Sequence, residues 1–167
     1  SGLFGSGYVT ANLGRGRSAR PVWGELVTGN YFEVLGVRAQ LGRTLLPSDE
    51  VAPGRHPVVV LSDRLWRSEL AADPDIVGKP VEINNYLLTV VGVADASFHG
   101  TIVSYDVEVF IPVMMAAEMG VGGGSPRTAS SNILSDRRAV LLFPQGFLRP
   151  GTSLANAAAQ TEAAWAA

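Results

Sequence analysis

The chain has 167 residues, 47% hydrophobic and 17% charged, which suits one globular domain, or two small intertwined lobes, with a substantial core. A net charge of −2 with a single lysine, Lys79, offers no basic stripe for nucleic acid and no polybasic patch for an anionic membrane. The absence of cysteine excludes disulfides, thiolate nucleophiles and cysteine-held metals, and no apolar run nears the roughly 20 residues that span a bilayer.

Gly7 to Leu13 and Pro21 to Thr28 alternate apolar and polar residues like half-buried strands, separated by a glycine-rich turn over residues 14–18. In Gly29 to Gly36, Tyr31, Phe32 and Leu35 share one helical face, and Gly36 is placed to stop the helix. Residues 42–56, with two prolines and two glycines, read as irregular connection. Pro57 to Leu61 is a continuous apolar run, the pattern of a buried strand. Ser62 can then cap a helix running to about Ala71, which offers Leu65, Trp66 and Leu70 to the core and ends at Asp73-Pro74-Asp75.

Lys79 to Val93 carries the clearest hairpin pattern, because Asn84 and Asn85 tolerate the positive φ of a tight turn. Asp106 to Val113 predicts another strand, and residues 120–136, rich in Gly, Ser and Thr, a flexible loop. The chain closes with a predicted strand Ala139 to Phe143, a turn at Pro150-Gly151, and a helix from Ser153 presenting Leu154, Ala158 and Trp165. Strands and helices mix without a regular βαβ rhythm, which makes the class α+β.

The chemistry-bearing residues form no recognisable catalytic set. His56 and His99 lack metal-ligand spacing, and Ser62, the best nucleophile candidate for a small serine hydrolase, lies outside any G-x-S-x-G elbow and suits a helix cap. Asp49-Glu50 and the pair Asp73 and Asp75 read as solvated loop acids, without the ladder of a calcium loop. Gly120, Gly122, Gly123 and Gly124 run into Ser125-Pro126 and not into a helix, so they make a poor phosphate cradle. Trp23, Trp66 and Trp165 are expected to fill core. No catalytic, cofactor-binding or metal residue is assigned.

Several strings, in order, carry a resemblance: VTGNYFEVLGVRAQLGRTLLPSDE (27–50), PVVVLSDRLWRSELAADPDIVGKPVEINNYLLTVVGVA (57–94), DVEVFIPV (106–113) and FLRPGTSLANAAAQTEAAWAA (147–167). Together they resemble the MacB-like periplasmic core domain of FtsX-family ABC transporter permeases. Phe147 stands where that family often has Arg, Asn85 replaces a common hairpin Gly, and residues 120–136 match no part of the pattern.

The resemblance implies a porter-like α/β lobe built from both chain ends (1–41 and 130–167) and an inserted strand-rich lobe (42–129). It implies a non-catalytic module on the periplasmic side of the bacterial inner membrane, tethered by transmembrane helices outside this sequence. Its partners would be the rest of the permease, a second permease subunit, a periplasmic adaptor and, indirectly, a cytoplasmic ATPase. ATP would act only at that ATPase, fused or separate. Ser1 at the start, in place of Met, fits an excised piece. Tyr31, Phe32, Leu35 and Trp66 are then packing anchors, and Gly36, Gly42, Gly78 and Gly92 are tight backbone positions. The alternative reading is a periplasmic small-ligand or lipoprotein-binding module.

Overall fold

The computed structural model describes residues 2–16, 19–101, 105–121, 133–135 and 140–165. In chain order the strands are β1 (Leu3–Leu13), β2 (Arg20–Val27), β3 (Ala39–Gly42), β4 (Val58–Leu61), β5 (Pro80–Ile83), β6 (Tyr86–Ala94), β7 (Val109–Pro112) and β8 (Phe143–Gly146). The helices are α1 (Tyr31–Leu35), α2 (Asp63–Glu69) and α3 (Leu154–Trp165), with short 3-10 turns at Pro47–Glu50 and Val113–Met115. No helix among the described residues is long and apolar enough to cross a membrane.

Six strands close into a ring in the order β1-β2-β7-β4-β6-β5, with β8 added along β1 and β3 along β6. The pairs β2–β7 and β4–β6 are parallel, and the others are antiparallel. The closing joint is short: Leu13 lies opposite Ile83, Gly14 N–H donates to the Glu82 carbonyl at 2.9 Å, and Asn84 N–H donates to the Asn12 carbonyl at 3.0 Å. Strands of the two segments that the resemblance assigns to separate lobes thus share one sheet, through β2–β7 and β1–β5.

Alternation along the strands explains two cores. Val9, Ala11, Val22, Leu26, Val59, Leu61, Ile83, Leu88, Val109 and Ile111 come from all six ring strands yet form one cluster, which is the ring's interior. The residues between them face outward, where α1 covers Val27, Val60 and Phe110 with Tyr31 and Phe32. Tyr31 and Phe32 are fully buried in edge-to-face contact, ring centroids 5.1 Å apart, and Phe32 meets Phe110 at 5.2 Å. Leu35 packs partly buried against the outer cluster and Trp66 against the inner one.

The predicted punctuation is present. Gly36 ends α1 at φ 70°, its N–H bonding back to α1 carbonyls. Asn84 and Asn85 both take positive φ (51° and 66°) between β5 and β6. Ser62 caps α2 by accepting from Leu65 N–H at 3.2 Å. The Trp66 indole donates to the Asp73 carbonyl at 2.9 Å and anchors the turn after α2, where Ala71 and Ala72 carry positive φ.

Several expectations are corrected. The last strand is 143–146, not Ala139 to Phe143: residues 141–142 cross the face of β1 at Gly7 and Gly5, where a Cβ would stand 2.0 Å from the Leu141 carbonyl oxygen and 2.8 Å from Leu142 Cδ1. Residue 139 and most of the 120–136 loop lie outside the described residues. The strand expected over Asp106 to Val113 is confined to β7. Within 42–56 the chain is not wholly irregular, because Asp49 anchors a 3-10 turn. Finally, α3 does not turn Leu154 and Ala158 into the core. Leu154 is 79% exposed and Ala158 is exposed, since a helix that is half alanine offers little apolar area to pack. The side chain of Trp165 lies outside the description.

Gly42 and Gly92 also carry a close approach. At Gly42 (φ 67°) a Cβ would stand 2.3 Å from the Val91 carbonyl oxygen, and at Gly92 one would stand 2.1 Å from the Arg43 carbonyl oxygen, because β3 crosses β6 there. Gly92→Ala is therefore expected to cost about 3 kcal/mol or more in thermal or urea unfolding. Gly151→Ala, with positive φ but open space around it, is expected to cost about 1 kcal/mol. Equal losses at the two positions would show that β3 and β6 do not meet so closely.

Candidate interaction face

Glu25 is fully buried on the outer side of β2. An isolated carboxylate there would be costly, and two hydroxyls serve it. The Tyr31 hydroxyl donates to Oε2 at 2.9 Å and the Thr101 hydroxyl to Oε1 at 2.7 Å. Thr101 in turn lies 3.3 Å from the Ser6 hydroxyl, to which the Gln145 amide donates at 3.2 Å. One hydrogen-bonded chain thus links α1, β2, the connection before β7, β1 and β8. Burial first, and then the adjacent Glu25 carboxylate, hold the Tyr31 phenol far above its ordinary pKa, so Tyr31 remains a donor.

Beside this hub the same face carries three aromatic rings. Tyr105 meets Tyr8 at a centroid distance of 5.1 Å and Trp23 at 4.5 Å. Trp23 was expected in the core. The alternation of β2 instead puts it outward, past the cover of α1, and leaves it 40% exposed, with Tyr105 at 38%. Burial, then Glu25, then Tyr105 raise the Tyr8 pKa.

Glu108, almost fully buried, fixes Trp23 from the neighbouring β7 side. Glu108 N–H donates to the Trp23 carbonyl at 2.8 Å, while its carboxylate accepts from Trp23 N–H at 3.2 Å. The same carboxylate holds Arg20 at 2.7 Å and Arg64 at 3.4 Å. An exposed Trp on β2, packed against a Tyr of the connection before β7 and neighboured by Arg20 and Arg64, has the composition that dominates protein contact energies.

The residues singled out in the sequence do not converge on this face. Ser62 is buried and occupied as the α2 cap. The His56 carbonyl accepts from Val58 N–H and the His99 carbonyl from Val107 N–H; the His56 Nδ1 is buried with no hydrogen-bond partner among the described residues. Asp49 is no solvated loop acid. It is 5% exposed, accepts from both terminal nitrogens of Arg43 at 2.7 and 3.0 Å and from Leu46 N–H, and its pKa is lowered. Burial opposes that lowering, and Arg43, Leu46 N–H and the charge of His56 together outweigh it. Glu50 is half-buried at a groove. Asp73 accepts from Asp75 N–H and pairs with Lys79. Gly120 sits in a turn at φ 77°, and Gly122, Gly123 and Gly124 lie outside the described residues.

Glu25, Tyr8 and Tyr105 were missed, because their signal is cross-strand: Tyr8 lies opposite Glu25 in the β1–β2 register. Tyr31→Phe removes one of the two donors to Glu25 and is expected to destabilise by about 1–3 kcal/mol. In the Glu25→Gln background the same change is expected to cost measurably less. Additive losses in that double-mutant cycle would show that the two side chains do not interact.

The MacB-like periplasmic core domain family matches residues 4–164. In fold the chain is similar to the periplasmic region of MacB from Actinobacillus actinomycetemcomitans, with a TM-score of 0.65 and 17% identity, covering 99% of this chain and 66% of that one. It is also similar to the extracellular domain of the noncanonic ABC-type transporter YknZ from Gram-positive bacteria, with a TM-score of 0.55 and 16% identity, covering 80% and 68%. The chain thus spans about two thirds of the length of these solved domains. No curated protein sequence matches significantly. With 161 consecutive positions matched, the chain belongs to the MacB-like periplasmic core domain family.

Proposed function

We propose that this domain is a non-catalytic contact and transmission module of a MacB/FtsX-type ABC transporter permease, working on the periplasmic side of the inner membrane during export. Its own cofactor requirement is none, ATP being used at a cytoplasmic ATPase. The rest of the permease and a second permease subunit are its structural partners, and a periplasmic adaptor or a substrate meets its outer surface. The porter-like lobe (1–41 and 130–167) and inserted lobe (42–129) of this reading are divisions of role within one continuous sheet.

The observation that carries the reading is the exposed Trp23–Tyr105 pair seated on a cross-tied frame. A module that passes force between partners needs a contact surface whose displacement moves the whole domain. The Glu108 and Glu25 linkages supply that stiffness, because they bind the surface rings to β1, β2, β7, β8 and α1.

Trp23→Ala together with Tyr105→Ala is expected to lower the stability of the isolated domain by only about 1–2 kcal/mol, since both rings are partly solvated. In the complete permease the same pair is expected to reduce export strongly and to abolish photo-crosslinking from exposed position 10, which lies opposite residue 23 on β1, a contact loss of about 2 kcal/mol or more. Normal export and unaltered crosslinking in a folded double variant would overturn the assignment of this face.

A further inference from the structure

A groove of about 470 Å³ opens where β1, the 141–144 segment and the Pro47–Glu50 turn meet. Its walls are largely apolar: Leu3, Phe4, Pro47, Leu142 and Pro144. Leu3 is 68% exposed, an unusual state for a leucine on a strand that is otherwise mostly buried. The volume lies within the range of small-ligand sites.

Three polar side chains reach this groove, and two are already engaged. The Thr28 hydroxyl accepts from Gly5 N–H at 3.0 Å and donates to Asn30 Oδ1 at 2.8 Å, while Asn30 Nδ2 donates to the Leu3 carbonyl at 2.9 Å. The third is Glu50. It accepts from Gly29 N–H, and among the described residues no cation pairs with it. Of the two nearest arginines along the chain, Arg43 holds Asp49 through both terminal nitrogens, and Arg55 forms no ion pair among the described residues. Burial first, with the neighbouring Asp49 adding to it and Gly29 N–H opposing, raises the pKa of Glu50. The groove therefore presents one half-buried carboxylate, without a counter-charge among the described residues, at the edge of an apolar wall.

We propose that this groove binds an amphiphile bearing a single cationic amine, with its hydrocarbon body against Leu3, Phe4 and Leu142 and its ammonium on the Glu50 carboxylate. An ammonium supplies the charge and the hydrogen-bond donors that Glu50 lacks. An anionic amphiphile would set a second negative charge beside Glu50, and a neutral one would leave the carboxylate unpaired. The site is separate from the aromatic face, and the inference stands independently of the transport reading.

The test titrates the 167-residue chain with octylammonium, 1-octanol and octanoate, followed by calorimetry and by amide shifts in NMR. Octylammonium is expected to bind about tenfold or more tightly than 1-octanol and more tightly still than octanoate, with shifts centred on Leu3, Gly29 and Leu142. Glu50→Gln keeps an acceptor for Gly29 N–H and is expected to weaken the amine about tenfold while leaving 1-octanol unchanged. Leu3→Ser, at an exposed position, is expected to weaken both about threefold without altering Tm. Equal binding of amine and alcohol would overturn the proposal. So would an unchanged amine affinity in Glu50→Gln, shifts located elsewhere, or no amine binding at millimolar concentration.

Discussion

The structure depends on one strand doing three jobs. β1 pairs with β2 over residues 6–13, with β8 over residues 3–6, and with β5 at Leu13. The last contact, a single residue pair flanked by two backbone hydrogen bonds, converts an open sheet into a ring. The ring encloses an apolar interior that its strands line with alternate residues, although β1 and β5 pair only at its short closing joint. This explains how a chain with only 17% charged residues and short helices organises its apolar content. The interior packing that α-helices supply in other α+β domains comes here chiefly from strands, helped by Leu65 of α2 and by Met115 and Met119.

Closure has a consequence on the outer side. The residues of β2 that face outward are Pro21, Trp23, Glu25 and Val27. α1 covers Val27 and reaches Glu25 with the Tyr31 hydroxyl, leaving Trp23 to solvent. Burial of a carboxylate without a cationic partner costs several kcal/mol, and hydroxyl donors offset only part of that. The residue thus contributes less to net stability than an apolar one would in the same place. It does impose a specific arrangement, since five segments must hold their positions for Tyr31, Thr101, Ser6 and Gln145 to complete the chain.

Much of the fold was legible where a local rule decides. Gly36, the Asn84-Asn85 turn and the Ser62 cap are each set by backbone conformation or a neighbour within a few residues, and each was readable. Family membership was legible from the order of several weak strings. What escaped depends on distant partners. β3, four residues without clear periodicity, exists because Gly92 lets it cross β6. The final strand was placed too early because its register follows from room on β1 at Gly5 and Gly7, some 135 residues away. Glu25 looked like the polar half of an alternating strand, and nothing nearby in the chain announces that an aromatic helix will cover it. Asp49 looked solvated because its pairing with Arg43 requires the intervening turn to fold back.

The contrast between Glu25 and Glu50 bears on what this surface can do. Both are carboxylates withdrawn from water without a cation, but they differ in what surrounds them. Glu25 is enclosed and has side-chain donors on both oxygens, so no ligand can reach it and its role is to hold elements together. Glu50 is open on one side, with the Gly29 N–H as its partner and an apolar wall next to it. A group raised in pKa by burial destabilises the folded state in its ionised form, so at neutral pH Glu50 detracts from stability, and that cost fades as pH falls through its folded pKa. An internal packing role would be better served by a neutral side chain. A charge held at the rim of an apolar groove, at some expense to the fold, makes physical sense where an external cation completes it.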